Sequence, residues 1–337
     1  MFTDKDPCTG RPLIYSIDYA SITSTPDVSC DYIDNAAVLL DTPFEYEEGL
    51  SISVLGACNG LICFDISINK EKSSCIWNPA TREYKKLQRS DSGNNYLCRA
   101  GFGYDIKTGD YKIVRIPYSK IPDYCEVEVY TFGSHLSKTT HAFPYDFPVD
   151  VAFCCAFLNG ALHWTRSIPL EDTSNCIVSF NISNKKLMDV PLPEKSIIDP
   201  EDSNRVGVLG DCLSLVLVHK SLDRAAEVWT VQDYGVRESW TKLFTTTQKP
   251  ITKYTFLSIP MLSLKTGEIL IYSYDGVILF DPKNEKVGNV SSFFQKSAFS
   301  DRLLMMMIAH PESYVESLVS LNSGTYVKKP IRDKTSR

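Results

Sequence analysis

A strand-sized apolar run recurs about every fifty residues, each time beside a turn-forming glycine, and this recurrence limits the possible folds more than any other feature. The runs follow Gly60 (LICF), Gly109 (DYKIVRI), Gly160 (ALHW), Gly210 (DCLSLVLV) and Gly267 (EILIY), at steps of 49, 51, 50 and 57 residues. A second run ends in an aromatic and keeps phase with the first, at Trp77, Tyr130, Phe180, Trp229 and Phe280. A polar turn and a third run follow the aromatic, as in Asn78-Pro79 before EYKKL, and a fourth run precedes the glycine, as in SISVLGACNG. Four short strands per unit at this period describe the blades of a β-propeller. Asn59-Gly60 and Asn159-Gly160 are hairpin signals, because both central residues of the tight turn need positive φ. Little 3.6-residue periodicity competes with this reading.

Five units cover residues 51–294, and the two ends supply complementary remnants. RLLMMMIAH and YVESLVSL near the C-terminus read as the first two strands of a further blade, and PLIYSIDY and ASITST near the N-terminus as its last two. The chain is therefore predicted to be all-β, a kelch-like six-bladed propeller of four-stranded blades over residues 11–326. The closing blade is shared between about 11–25 and 300–322, which hides edge strands that would otherwise invite association. Residues 1–10 are expected to be a disordered N-terminus and 327–337 a disordered basic tail. Two stacked β-sandwiches with coincident spacing are the competing architecture. The aromatic marks read as packing between blades rather than as ligand contacts.

A formal charge of −6, from 41 acidic and 35 basic residues, argues against a phosphate-tracking surface. No nucleic-acid partner is expected, and a basic protein partner is mildly favoured. No stretch approaches the ~18 apolar residues of a membrane span, and Asp4, Lys5 and Asp6 stand where a secretory peptide would be apolar. A cytoplasmic location, extending to the nucleus, is the expectation, with no membrane partner. The 11 cysteines include no CxxC pair and lie mostly in apolar runs such as Leu61-Ile62-Cys63-Phe64, as reduced structural thiols do.

Catalytic sets fail one by one. His135, His141, His163, His219 and His310 lack metal-ligand spacing, and His163, between Leu162 and Trp164, reads as a satisfied core histidine. Gly101-Phe-Gly103 hints at a dinucleotide loop but lacks a third glycine and a following helix. There is no GxSxG elbow and no P-loop. No catalytic residue, cofactor or metal site is predicted, and the chain reads as a non-catalytic binding module. A propeller hydrolase with acids on its loops, or a scaffold or decoy protein, are the alternatives.

Several segments carry a family resemblance: GACNGLICF from Gly56, IWNPATREYKKL from Ile76, GFGYDIKTGDYKIVRI from Gly101, NGALHW from Asn159, EVWTVQDYGVRESWTKLF from Glu227 and GEILIY from Gly267. In this order they resemble the F-box-associated domain of plant F-box proteins, of the S-locus F-box-like or F-box/kelch-repeat type. The resemblance implies the substrate-recognition domain of an SCF-type ubiquitin ligase receptor. In the S-locus branch it implies recognition of a basic ribonuclease. Family members begin with a helical F-box carrying LP near its start, and Met1 to Leu50 shows no such mark. Docking to the SCF adaptor is therefore expected only if an F-box lies upstream.

Alternating strand direction puts the short A–B and C–D turns on one face and the longer B–C and D–A connections on the other. Variable loops on a rigid scaffold are where recognition is usually placed. Tyr118, Tyr124, Tyr145, Phe147, Arg166 and Arg224 are expected to anchor the target protein there. Asp146, Glu171, Asp172 and Asp223 are expected to steer a basic one.

Overall fold

The computed structural model describes residues 2–5, 9, 11–18, 37–43, 47–69, 71–88, 98–117, 119, 121, 124–132, 136–144, 155–166, 176–193, 202–219, 225–252, 259–264, 267–273, 276–290 and 315–321. Among these, an N-terminal three-stranded sheet consists of β1 (Phe2–Lys5), β2 (Pro12–Ile17) and β3 (Ala37–Leu39). Five four-stranded antiparallel sheets follow, each of consecutive strands. Blade 1 is β4 (Ser51–Cys58), β5 (Leu61–Ile68), β6 (Glu71–Trp77) and β7 (Tyr84–Gln88); blade 2 is β8 (Cys98–Asp105), β9 (Asp110–Pro117), β10 (Cys125–Phe132) and β11 (Leu136–Phe143). Blade 3 is β12 (Ala156–Leu158), β13 (Ala161–Arg166), β14 (Cys176–Asn181) and β15 (Lys186–Val190); blade 4 is β16 (Ser203–Leu209), β17 (Cys212–Val218), β18 (Ala226–Val231) and β19 (Trp240–Thr246). Blade 5 is β20 (Ile259–Ser263), β21 (Ile269–Ser273), β22 (Gly276–Asp281) and β23 (Lys286–Val290). Helix is confined to a 3-10 turn at Arg237–Ser239 and a single turn at Lys249–Thr252.

Turn chemistry explains the repeat. Asn59 and Gly60 have φ of 52° and 80°, and Asn159 and Gly160 of 51° and 75°, the doubly positive backbone that the Asn-Gly pairs predict. The C–D turns of blades 1, 3 and 5 share a second device. Asn78, Asn181 and Asp281 each accept two backbone N–H groups on a side-chain oxygen, from Ala80 and Thr81, Ser183 and Asn184, and Lys283 and Asn284. Four residues on, the chain turns left-handed at Arg82, Lys185 and Glu285, with φ of 60°, 58° and 51°.

The core is a series of layers between successive sheets. Central strands are buried on both faces, which is why they read as continuous apolar runs. In β17, Leu213, Leu215 and Leu217 face blade 3 while Val216 and Val218 face blade 5. Each aromatic mark sits in the layer against the preceding sheet: Trp77 with Ile14, Tyr130 with Leu61, Phe180 with Val114, Trp229 with Ile177 and Phe280 with Val216. All five are 7 % exposed or less, so their role as blade packing stands. Outer strands are tied as well, since Trp240 Nε1 donates to Pro191 O (2.9 Å) and Gln248 Nε2 to Glu285 O (3.2 Å).

Gly101 and Gly103 have a packing reason rather than a nucleotide-binding one. A Cβ on Gly101 would come within 2.6 Å of Cys155 Sγ, and one on Gly103 within 2.4 Å of the Phe157 ring. The bare backbone of β8 is what lets blade 3 close against it.

The expectation of six blades is corrected: five four-stranded blades form among the described residues. β2, assigned above to a closing blade, pairs with β1 and β3, so its hydrogen-bonding edges are filled by its own N-terminal neighbours. Phe2–Lys5, within the stretch expected to be disordered, is itself the strand β1. Residues 20–25, 302–310 and 327–337 lie outside the described residues. Val315–Leu321 is described but joins no sheet. It lies across the A–B and C–D turns of blade 1, where Ser317 Oγ donates to Asn59 O (2.6 Å).

Candidate functional site

At the end of the blades that carries the longer connections, Arg99 at the start of β8 donates from Nη1 to Thr165 O at the end of β13 (3.1 Å). The B–C connection of blade 3 and the D–A connection entering blade 2 therefore emerge side by side. Of the residues predicted to bind a target there, Tyr124 is half-buried just ahead of β10 and donates to Glu126 Oε1 (2.8 Å). That bond raises Tyr124 above the ordinary tyrosine value, so its hydroxyl stays protonated. Arg166 is the last residue of β13, opposite Cys176. Tyr118, Tyr145, Asp146, Phe147, Glu171, Asp172, Asp223 and Arg224 lie outside the described residues, on the connections between blade strands.

A polar cluster at the same end of blade 4 escaped the sequence reading. His219 Nδ1 is 2.8 Å from Asp202 Oδ2, and its Nε2 is 3.9 Å from Glu227 Oε2. The backbone N–H of His219 donates to Ala225 O (2.8 Å), closing the base of the loop that carries Asp223 and Arg224. Glu227 also accepts from Trp229 Nε1 and Lys242 Nζ, both at 2.9 Å. The imidazole thus ties the end of β17 to Asp202 ahead of β16 and faces Glu227 at the start of β18, a carboxylate already engaged by two donors. No spacing rule joins residues 202, 219 and 227; only the fold brings them together.

The tight-turn end is sealed by inter-blade contacts. His163 is fully buried, and burial holds it down to about 4, so the ring is neutral. Its Nδ1 lies 3.1 Å from Ala156 O and its Nε2 2.6 Å from the hydroxyl of Tyr234, which reaches across from blade 4 and is 3.0 Å from Ser179 Oγ. The predicted satisfied core histidine is what the structure shows. Between blades 2 and 3, buried Asp105 accepts from buried Lys112 and from Ser183 Oγ. Between blades 1 and 2, and nearer the end that carries the longer connections, Arg115 Nη2 pairs with Asp65 and lies 2.9 Å from Ser74 Oγ. Asn78, in the polar C–D turn of blade 1, is fully buried: its Nδ2 donates to Ser317 O (2.9 Å) and Val319 O (2.8 Å).

Among the described residues no three His, Cys, Asp or Glu side chains are grouped to hold a metal ion, and no helix is long and apolar enough to cross a membrane. Burial pushes the Cys75 thiol up to about 12 and raises that of Cys63, so neither is a thiolate at neutral pH.

Comparison with known proteins places the chain. An F-box/kelch-repeat protein of Arabidopsis thaliana is 29% identical over 197 residues, covering 56% of this chain and 51% of the relative. F-box protein CPR1 of Arabidopsis thaliana is 25% identical over 325 residues, covering 88% of this chain and 74% of that protein. The chain thus spans about half the length of the first of these relatives. Among solved structures, the beta-propeller domain of the Trilobed protease from Pyrococcus furiosus aligns over 72% of each chain at 12% identity and a TM-score of 0.39, too distant to bear on function. The family pattern described as the F-box associated beta propeller domain matches residues 14–321, from β2 to the segment seated on Asn78, and the chain belongs to that family.

Proposed function

We propose that this domain is the target-recognition part of an F-box-type substrate receptor, a non-catalytic module that grips a protein for ubiquitination by an SCF-type ligase. The observation that carries this reading is family membership across residues 14–321, shared with relatives that are F-box proteins. Adaptor docking belongs to an F-box, which in the whole protein would precede this domain. In this reading the anchors are Tyr118, Tyr124, Tyr145, Phe147, Arg166 and Arg224, which in sequence belong to the B–C and D–A connections or their edges. Asp146, Glu171, Asp172 and Asp223 favour a basic target, in keeping with the net charge of −6. A basic ribonuclease, as in the S-locus branch, fits that description. Action in the cytoplasm or nucleus follows from the ligase reading.

The test is affinity capture from native extract with the wild-type chain and a triple charge reversal, Asp146→Lys, Glu171→Lys and Asp172→Lys, run beside a broad hydrolase screen. Recovery of one basic partner near one-to-one, lost in the triple variant at unchanged melting temperature, supports the proposal. Equal capture by both chains overturns the face assignment, and turnover abolished by changing a single loop acid overturns the binding reading.

A further inference from the structure

The A–B turns of blades 1 and 3 are built from the same dipeptide and differ in what covers them. Asn59-Gly60 and Asn159-Gly160 each sit between a closing strand pair, Cys58 with Leu61 and Leu158 with Ala161, and each has positive φ at both residues. Both asparagines are exposed. Over the first turn lies the C-terminal segment. Ser317 Oγ donates to Asn59 O (2.6 Å), and a Cβ on Gly60 would come within 2.4 Å of Ser317 Oγ and 2.7 Å of Val315 O. Gly60 is buried as a result. Over the second turn there is space: a Cβ on Gly160 would meet no described atom within 4 Å. That turn is held from one side by Ile182 N, which donates to Gly160 O (3.0 Å).

An asparagine followed by glycine carries its own electrophile and nucleophile. The side-chain amide carbon stands beside the glycine nitrogen, and a following residue without a Cβ puts little steric barrier in the way of a five-membered ring between them. The doubly positive turn holds that nitrogen off the line of attack, so ring closure requires the turn to open first. Local opening differs from place to place in one fold, according to what holds each segment down. Opening Asn59-Gly60 breaks the Ser317 bond and drives the turn against a segment that Asn78 Nδ2 anchors through Ser317 O (2.9 Å) and Val319 O (2.8 Å). Opening Asn159-Gly160 strains, among the described residues, the Ile182 bond and the end of the three-residue strand β12.

We propose that Asn159 is a deamidation site of the folded chain, and that the C-terminal segment shields Asn59 from the same reaction. Gly160 N gives up its proton to water as it attacks Asn159 Cγ, the new C–N bond closes a succinimide, and the Cγ–Nδ2 bond breaks with release of ammonia. Water then adds to either imide carbonyl and opens the ring to aspartate or to isoaspartate, whose main chain runs through Cβ and Cγ. Both products bring a carboxylate to the tight-turn end of blade 3. Isoaspartate also lengthens a two-residue turn by one main-chain atom, which loosens β12 and the approach of Ala156 O to His163 Nδ1 (3.1 Å).

The full chain is incubated at pH 7.5, folded and in denaturant, and the peptides carrying residues 59 and 159 are followed by mass spectrometry with fragmentation that separates aspartate from isoaspartate. Asn159 is expected to convert about tenfold faster than Asn59 in the folded chain, with the two rates converging in denaturant, because the dipeptide is the same and the fold alone separates them. An Asn159 rate at or below that of Asn59 in the folded chain, or no product at Asn159 while the denatured chain converts, overturns the proposal. Ser317→Ala and Asn78→Asp should each raise the Asn59 rate several-fold and leave the Asn159 rate as it was. An Asn59 rate unmoved in the folded variants overturns shielding by the segment. Should Asn78→Asp fail to fold, Ser317→Ala, which removes a single hydroxyl, decides that arm alone.

Discussion

Lys242 stands 5.4 Å from the centroid of the Trp229 ring, and two blades earlier Lys138 stands at the same 5.4 Å from Tyr130. Both arise from one sequence device on neighbouring strands. A glutamate two residues before the aromatic, Glu227 or Glu128, accepts the aromatic's N–H or O–H at 2.9 Å and pairs with the lysine at 2.9 Å or 2.7 Å. Cross-strand register supplies the lysine directly opposite the ring, as Trp229 against Lys242 and Tyr130 against Lys138. Both lysines are substantially exposed, so each contact is worth little. Lys242→Ala and Lys138→Ala should each cost less than about 1 kcal/mol in urea denaturation. Glu227→Ala should cost more, about 1–3 kcal/mol, because it strips the buried Trp229 indole of its acceptor. Equal effects of the lysine and glutamate changes would show that the ring contact, not the carboxylate, organises the motif.

Acid should weaken the fold through His163. Its folded-state value near 4 lies below the ordinary histidine value of about 6.5, so between those two pH values the unfolded chain binds a proton that the folded chain refuses. The contribution is full above about pH 6.5 and is lost as pH falls towards 4, on the order of 3 kcal/mol. Urea titrations at pH 7.5 and 4.5 should show this loss in the wild-type chain and a clearly smaller one in His163→Gln. Parallel losses in the two chains would assign the acid sensitivity elsewhere.

The blade pattern was legible because it rests on local chemistry. Asn59-Gly60 and Asn159-Gly160 demand their turns, and the near-continuous apolar runs of β5, β9 and β17 demand two buried faces. Pairing at the chain ends was not legible. The apolar residues of β2 suit any partner strand, and FTDK in β1 has no pattern that marks it as one. The predicted binding face rests on loops that the repeat leaves unconstrained, and such loops are marked in sequence only by their irregularity. Inter-blade contacts such as Tyr234 to His163, or Asp202 to His219, join residues with no shared spacing and come into view only with the blades assembled.

Gly103 tests the packing reading of the glycine pair. A methyl group there meets the Phe157 ring at 2.4–2.5 Å and Ile182 Cδ1 at 2.7 Å, so blade 3 must move or Phe157 must leave its rotamer. Gly103→Ala should cost about 1–3 kcal/mol, and Gly103→Ala with Phe157→Leu should recover part of that loss by thermal melting. A neutral Gly103→Ala change would mean that the interface between blades 2 and 3 is looser than these distances require.

The seat of the C-terminal segment on blade 1 can be separated from the turn beneath it by one atom change. Asn78 does two jobs: Oδ1 caps the C–D turn through Ala80 N (3.0 Å) and Thr81 N (3.4 Å), while Nδ2 holds Ser317 O and Val319 O. Glu83 completes the seat by accepting Ser320 Oγ (3.0 Å) and Leu321 N (2.8 Å). Gly60 lets the segment approach, since a Cβ there would lie 2.4 Å from Ser317 Oγ and 2.7 Å from Val315 O. Val319 and Leu321 then reach the layer between blades 1 and 2, while Val315 and Leu318 stay exposed. Asn78→Asp keeps the capping oxygen but replaces the donor with a second oxygen facing two carbonyls. It should cost about 1–3 kcal/mol and should sharply raise amide exchange at Val319 and Leu321 while leaving exchange in β9 and β17 unchanged. Asn78→Ser should retain part of the cap and release the segment in the same way. Global loss of protection in Asn78→Asp would mean that the segment is integral to blade 1 rather than seated on it, and unchanged exchange at residues 319 and 321 would mean that the Asn78 amide does not hold it.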